Sequence, residues 1–153
     1  MSLKLNKWKK TKKIFKIFKP EIVFHIAGQP GVLYSFKNPN SYKINNIDAT
    51  KTLLKLCNNS NVKKFIFASS SSVYGDQKKF PIKENFSLNP KNYYAKTKLK
   101  AEQIISNTFK KKQIKFIIFR FFTVYGPFGR PDMFIHKFLN STKLKKIIKI
   151  HNK

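Results

Sequence analysis

Acidic residues and arginines are scarce in this 153-residue sequence, which has 33 basic residues against 6 acidic ones and a formal net charge of +27. Such a balance ordinarily indicates a polyanionic partner such as nucleic acid. Only Arg120 and Arg130 are arginines, however, and proteins that read base edges favour arginine forks. A solvated lysine surface is therefore favoured over a nucleic-acid interface, although an anionic nucleotide would still be attracted to that surface.

Cysteine is nearly absent as well, and the single one, Cys57, excludes a disulfide within the chain. The histidines, His25, His136 and His151, lack metal-ligand spacing, so no metal site is predicted. No apolar run approaches the length of a membrane span, and lysines interrupt the amino-terminal stretch too often for a signal peptide. These features predict a cytoplasmic protein with no membrane partner.

The sequence does contain enough apolar material for a globular core, since 41% of it is hydrophobic and 15% aromatic. Three short apolar runs, at residues 22–26, 65–68 and 116–119, show no alternation with polar residues. Uninterrupted runs of this length are typical of strands that are covered on both faces in a parallel sheet. We therefore expect three parallel strands.

Helical periodicity surrounds these runs. Apolar residues recur at helical spacing over 47–57 and over 93–109, which predicts a crossover helix between successive strands. A lysine-rich amphipathic helix over 5–18, ended by Pro20, is interpreted as a packed helix rather than a membrane-surface one, because its connection to the first strand is so short. The tail over 134–150 is compatible with one more helix and a short strand. The pattern predicts an α/β fold, a partial doubly wound parallel sheet with flanking helices.

Tyr94 and Lys98 give the strongest local signal for chemistry. Four positions apart on a predicted helix, they project from the same face one turn from each other. An ammonium beside a phenol stabilises the phenolate and lowers its pKa from about 10, which suits proton exchange with a hydroxyl group. Such a pair also arises by chance in a lysine-rich chain. A serine tract at 69–72, at the carboxyl end of the second strand where open α/β sheets place their ligands, makes chance a weaker explanation.

Four segments in order carry a resemblance to a known family. They are His-Ile-Ala-Gly-Gln-Pro-Gly-Val at 25–32, the serine tract with Val-Tyr-Gly at 73–75, Tyr94-x-x-x-Lys98, and Arg-Phe-Phe-Thr-Val-Tyr-Gly-Pro-Phe-Gly-Arg-Pro-Asp-Met at 120–133. From about residue 19 onward the chain resembles the extended short-chain dehydrogenases/reductases, within them the NAD-dependent epimerase/dehydratase family, and most closely the UDP-glucuronate epimerases. The resemblance implies a Rossmann-like sheet in a single partial domain over 1–153. Its parts would be a leading helix at 1–20, a core at 21–133 and the start of a truncated carboxyl-terminal part at 134–153.

The resemblance also implies a reaction and a site. NAD would take hydride from C4 of a nucleotide sugar and return it to the other face, so that the cofactor is regenerated. Tyr94 would be the acid/base, Lys98 would tune it and hold the nicotinamide ribose, and Ser70 would bind the same sugar oxygen. A purely structural role remains an open alternative for Asn45 and Phe122. The implied cofactor contacts are Ile26, Ala27, Gly28, Gln29, Asn45, Tyr94, Lys98 and Phe122, and the implied substrate contacts are Ser72, Thr123 and Arg130.

The residues after Ser70 indicate which reaction of the resembled family is favoured. Relatives that remove water carry an Asp-Glu pair there, because elimination needs an additional acid and base, whereas this chain has Ser71 and Ser72. Simple epimerisation of a UDP-sugar is therefore favoured. Arg130 offers a planar fork that suits a sugar carboxylate or a diphosphate. Leu33 replaces a basic residue common in the glucuronate branch, which leaves the identity of the sugar open.

The glycine-rich turn of such enzymes is missing. None of the five glycines precedes Gly28, and the turn that follows cannot substitute for a pyrophosphate loop because Pro30 has no amide to donate. We expect the chain to be a fragment without the amino-terminal glycine-rich half. Three hypotheses follow: an epimerase part completed by another chain or a homodimer, an inactive remnant, and, disfavoured, a basic nucleic-acid-binding module.

Overall fold

The computed structural model of the chain describes residues 4–110, 112–144 and 147. Three parallel strands form one sheet in the order β1-β2-β3, namely β1 (Ile22–His25), β2 (Lys64–Ser70) and β3 (Lys115–Phe121). Val23 lies opposite Phe65, which lies opposite Phe116, so the three apolar runs pair side by side. The predicted α/β fold with a parallel sheet is confirmed.

Helices connect the strands as the periodicity indicated. The predicted helices correspond to α1 (Trp8–Phe18), α4 (Ala49–Asn58), α5 (Tyr93–Phe109) and α6 (Phe134–Lys143). Two short helices were not predicted, α2 (Val32–Lys37) and α3 (Pro39–Tyr42), and a π-helical turn (Lys43–Asp48) joins α3 to α4. A 3₁₀ turn (Ser71–Tyr74) follows β2. The short strand considered after α6 falls mainly on residues outside the described ones.

The core lies between one face of the sheet and helices α4 and α5. Phe65 and Phe67 point to this side, where they pack with residues of both helices at contact distances typical of protein interiors. Cys57 is part of this core, and burial raises the pKa of its thiol to about 12. The buried cluster consists of Leu53, Leu54, Cys57, Val62, Phe65, Phe67, Ala101, Ile105 and Phe109.

The opposite face of the sheet is open over the described residues. Phe24, Ile117 and Phe119 all point to it, and their exposed fractions range from 46% to 64%. The expectation that both faces are covered is therefore wrong for this face. The side chains are apolar on both sides, but α4 and α5 lie on only one of them.

The chain divides into two compact units, Met1–Phe121 and Phe122–Lys153. The first contains the sheet and helices α1 to α5, and the second contains a turn region and α6. The single partial domain over 1–153 stays a prediction. Among the described residues no helix is long and apolar enough to cross a membrane.

Candidate active site

Ser70 stands where β2 ends and the chain turns. Its backbone is still extended, and its Oγ caps the 3₁₀ turn by accepting a hydrogen bond from the Ser72 amide at 3.2 Å. The Ser70 hydroxyl also donates to Ser72 Oγ at 3.2 Å. The serine tract therefore serves as a cap and leaves the hydroxyls of Ser70 and Ser72 together at the carboxyl end of a parallel strand.

Helix α5 carries Tyr94 and Lys98. Asn92 caps the helix by accepting a hydrogen bond from the Ala95 amide at 2.9 Å, which fixes where the helix begins. Lys98 is only 6% exposed, and its ammonium donates to the Ala68 carbonyl at 2.8 Å, two residues before Ser70. Burial lowers the pKa of Lys98 to about 8, while the charge of Glu102 acts in the opposite direction.

Tyr94 is half-buried one turn before Lys98. Its ring meets the ring of Tyr42 edge-on at 6.2 Å. Thr97, between the two site residues, donates its hydroxyl proton to the Tyr94 carbonyl at 2.7 Å. Tyr94 and Lys98 therefore lie one turn apart on α5, and their joint catalytic role stays a prediction.

The loop after β1 runs past this lysine. A methyl group added at Gly28 would lie 3.4 Å from Lys98 Nζ and 3.0 Å from Asn46 Oδ1, so the backbone here passes close to both groups. Ile26, Ala27 and Gly28 are exposed. The structure therefore brings the predicted cofactor-contacting stretch beside Lys98, with its surface open.

Asn46 holds that loop in place, although the sequence analysis selected its neighbour. Asn46 is 2% exposed. Its side-chain oxygen accepts a hydrogen bond from the Gln29 amide at 2.7 Å. Its side-chain nitrogen donates to the Gln29 carbonyl at 3.2 Å and to Thr97 Oγ at 3.0 Å. Asn45 instead donates to Ser41 at 2.8 Å. Both asparagines lie in the π-helical turn, whose wider spacing changes which of them faces the site. A cofactor contact by Asn45 stays a prediction.

His25 is a second residue near the site that the sequence did not predict as a site residue. Thr50 Oγ donates to the Asn46 carbonyl at 2.6 Å, so it must accept from His25 Nε2 at 2.8 Å. In the neutral ring the Nδ1 atom then carries no proton, and it has no partner among the described residues. Burial first, and the charge of Lys98 second, lower the pKa of His25 to about 4, so the ring is neutral at pH 7.

The second unit contains the other predicted contacts, and it is described by itself. Phe122 is exposed, and Thr123 and Arg130 line one cavity together with Tyr125 and His136. The Arg130 guanidinium pairs with the Asp132 carboxylate through Nε at 3.0 Å and through Nη2, and this pairing lowers the pKa of Asp132. Thr123 and Arg130 are thus brought together as neighbours of one cavity.

Comparisons with known proteins agree with this architecture. Residues 1–152 match the model of the NAD dependent epimerase/dehydratase family. The uncharacterized UDP-glucose epimerase YtcB of Bacillus subtilis is 40% identical over 131 residues, which cover 85% of this chain and 41% of that protein. The UDP-glucuronic acid 4-epimerase of Bacillus cereus, solved with UDP-glucuronic acid and NAD, has a TM-score of 0.80 and 36% identity, over 88% of this chain and 42% of that one.

A further solved structure is the UDP-N-acetylglucosamine 4-epimerase of Methanobrevibacter ruminantium, with a TM-score of 0.86 and 31% identity over 95% of this chain and 47% of that one. The chain spans less than half the length of these relatives. The predicted site segments and the fold lie within the matched residues, so this chain belongs to the NAD dependent epimerase/dehydratase family.

Proposed function

We propose that this chain carries the catalytic part of an NAD-dependent epimerase that acts on a UDP-sugar, with UDP-glucuronate as the substrate. One observation above all supports this function: the Lys98 ammonium is buried at the end of β2, one helical turn from Tyr94 and beside Gly28. A buried lysine with a lowered pKa is a mark of functional sites. Here it coincides with an exposed loop and a serine-rich strand end.

In this function Tyr94 exchanges a proton with the sugar 4-hydroxyl, and Ser70 donates a hydrogen bond to the same oxygen. The Lys98 ammonium, which donates to the Ala68 carbonyl, would hold the nicotinamide ribose through a hydroxyl. The absence of a side chain at Gly28 lets the exposed loop backbone approach Asn46 and Lys98 closely. NAD, when bound, supplies the group that accepts and returns hydride.

The choice of UDP-glucuronate rests on two features. Arg130 and Thr123 line one cavity, and the Arg130 guanidinium, which pairs with Asp132 here, matches a sugar carboxylate or a diphosphate that replaces Asp132 as its partner. Ser71 and Ser72 occupy the positions where an eliminating enzyme needs an acid and a base, so epimerisation is the reaction that fits. The Bacillus cereus relative was solved with UDP-glucuronic acid and NAD.

A further polypeptide segment with a glycine-rich turn completes the cofactor site in this proposal. Within the described residues β1 pairs only with β2, so its outer edge is available, and the adjacent sheet face is apolar and exposed. A homodimer fits this surface less well, since each copy carries a net charge of +27 and the two repel each other. The proposed site also needs a glycine-rich pyrophosphate loop, which residues 1–153 do not contain.

The test is to express the chain together with a family segment that carries the glycine-rich turn and to measure conversion of UDP-glucuronate. We expect turnover that Tyr94→Phe reduces by at least ~100-fold, because proton transfer contributes roughly 10²–10⁴-fold. Tyr93→Phe is the matched control, since Tyr93 is the adjacent half-buried tyrosine, and it should leave the rate unchanged.

An inactive remnant gives a different result. In that case the complemented protein shows no turnover, or a trace that Tyr94→Phe leaves intact. Turnover of another UDP-sugar with no turnover of UDP-glucuronate would overturn the substrate and keep the reaction class.

A further inference from the structure

A buried ion pair lies directly behind the proposed site. Glu102, on α5 one turn after Lys98, is 4% exposed. Its carboxylate accepts a hydrogen bond from Ser69 Oγ and receives the fork of Arg120, with Nη2 at 2.8 Å and Nε at 3.2 Å. A bidentate guanidinium–carboxylate pair is among the strongest and most directional polar contacts in proteins.

The Arg120 guanidinium extends this contact to two further elements. Its Nη1 donates to Tyr74 OH at 3.1 Å and to the Glu84 carbonyl at 3.0 Å, and the group lies 4.9 Å from the centre of the Tyr74 ring. The hydrogen bond to Glu102 first, and that to Tyr74 after it, raise the pKa of Arg120 above its ordinary value, so the group is charged throughout. One side chain therefore joins β3, α5, the 3₁₀ turn and the loop before α5.

Glu102 is connected to both β2 and α5 near the proposed catalytic residues. Ser69, which donates to Glu102, precedes Ser70 in β2, and adjacent strand residues point to opposite faces. Lys98 and Glu102 are four apart on α5, so they share one face of the helix. Glu102 is thus placed to hold the strand end that bears Ser70 and the helix turn that bears Lys98.

A structural role alone does not require these charges. Replacing a buried ion pair by apolar residues of similar volume is often neutral or stabilising, because desolvation offsets the Coulomb attraction. Here, however, the carboxylate that pairs with Arg120 is also four positions from Lys98 on α5, and its charge acts on the Lys98 ammonium. An apolar pair would leave the Lys98 ammonium without a nearby negative charge.

The charged groups around Lys98 are few among the described residues. Glu102 lies on its own helix, and it acts to raise the pKa of Lys98 against the effect of burial. Arg120 faces Glu102 from β3, and His25 faces the lysine from β1 as a neutral ring. The contact from β2 is an uncharged carbonyl, that of Ala68. Glu102 is therefore the group whose removal most directly changes the charge state of Lys98.

We propose that Glu102 and Arg120 form a positioning unit of the site, which fixes the end of β2 against α5 and places a negative charge one helical turn from Lys98. This role rests on the proposed function, because it assigns the pair to the same Tyr94 and Lys98 chemistry. Neither residue touches the reacting atoms. Glu102 acts through Lys98 and Ser69, and Arg120 acts through Glu102.

The first test measures Lys98 itself and needs no activity. The chain is labelled with ¹³C-lysine, the Lys98 signal is identified by its loss in Lys98→Gln, and its pKa is followed by NMR. Glu102→Gln, which keeps the shape and removes the charge, should lower the midpoint from about 8. A fall of one pH unit would mean a tenfold larger ratio of neutral to charged Lys98. Glu21→Gln is the matched control, since Glu21 pairs with Lys63 at the exposed surface, and it should leave the midpoint in place.

A midpoint in Glu102→Gln equal to that of the wild type overturns the electrostatic role. Should Glu102→Gln fail to fold, the double variant Glu102→Gln/Arg120→Met removes both charges and is expected to fold, and the same shift is measured on it.

The second test uses the chain expressed together with the segment that carries the glycine-rich turn. Glu102→Gln should lower kcat and move the alkaline limb of its pH profile to lower pH, with KM for the sugar unchanged, because a positioning group does not bind substrate. Arg120→Lys keeps the charge but loses the fork, so kcat should fall without a shift of that limb. An active wild type whose kcat and pH profile are unaffected by Glu102→Gln refutes the positioning role. An inactive wild type that still shows the NMR shift refutes the proposed function and leaves the electrostatic part standing.

Discussion

At the scale of single residues, His25 shows how a hydrogen-bond partner decides the tautomer of a side chain and its surroundings decide the charge. Thr50 has one hydroxyl proton and gives it to the Asn46 carbonyl, so the histidine must donate from Nε2. Burial first, and the charge of Lys98 second, keep the ring neutral, so its other nitrogen carries no proton. The same Asn46 bridges Gln29 and Thr97 with its side chain. A charged ring at this position would repel the Lys98 ammonium, so neutrality of His25 is a condition of the site.

This neutrality predicts an acid-dependent loss of stability. The pKa of His25 is about 4 in the folded chain and 6.5 in the unfolded one, so the unfolded state binds more protons between these values. The free energy of unfolding should therefore fall as the pH drops from 6.5 to 4, by up to about 3 kcal/mol. Urea unfolding across this range measures it. His25→Gln can still donate to Thr50 but does not titrate, so equal slopes for the variant and the wild type would contradict the prediction.

The sequence predicted the positions of the candidate residues where spacing alone decides them. Tyr94 and Lys98 lie on one helix face because four residues make about one turn, and Ser70 lies at the strand end because the apolar run stops there. Asn46 was missed because a π-helical turn changes the face that each residue presents. Glu102 was missed because its partner Arg120 is 18 positions away, on a strand whose register no local pattern specifies.

At the scale of elements, the connection from β2 to α5 depends on Gly75. This residue ends the 3₁₀ turn with φ at 64° and ψ at −147°, a backbone conformation that is essentially restricted to glycine. A methyl group there would lie 2.0 Å from the Asn89 carbonyl oxygen. The close approach holds the loop that leads into α5 against the turn that bears the serines.

Gly75→Ala should therefore destabilise the chain by at least ~2 kcal/mol, since it adds a steric clash with backbone to an unfavourable φ. Gly126→Ala is the matched control: Gly126 also has a positive φ, at 140°, but no atom lies within 4 Å of an added methyl group. It should cost only the conformational part, on the order of 1 kcal/mol. Chemical denaturation measures the free energy of unfolding of both variants. Equal losses of this free energy would show that the contact with Asn89 does not contribute to stability.

The elements themselves were predictable where one period extends over a whole segment. Helices α4 and α5 and the three strands were found because their apolar residues repeat at 3.6 residues or run uninterrupted. Helices α2 and α3 were not, since six and four residues give too few turns for a period to register. The open sheet face was not predicted either, because an apolar strand face has the same sequence whether or not a neighbour covers it.

At the scale of the whole molecule, the two faces of the sheet differ in what their side chains contribute. Phe67 is 1% exposed between the sheet and the two core helices, whereas Phe24 is 64% exposed on the open face at the free edge. An apolar side chain stabilises a fold only by the area it removes from water. The open face therefore adds little to the stability of this chain, and its apolar character is explained by a segment that covers it in the proposed complete enzyme.

Substitutions on the two faces should consequently separate stability from assembly. Phe67→Ala should cost about 3–5 kcal/mol of unfolding free energy, because it leaves a cavity in the core. Phe24→Ser should change that free energy by less than ~0.5 kcal/mol, because the ring is already exposed. The same substitution should weaken binding of the segment with the glycine-rich turn by at least ~10-fold, since it removes apolar area from the interface. Denaturation of the chain alone and calorimetric titration with the segment give the two numbers.

Phe36→Ser removes an equally exposed ring from α2 and is the control for binding. If Phe24→Ser and Phe36→Ser bind the segment equally well, the partner does not occupy the open face, and the free edge of β1 is not where the cofactor site is completed.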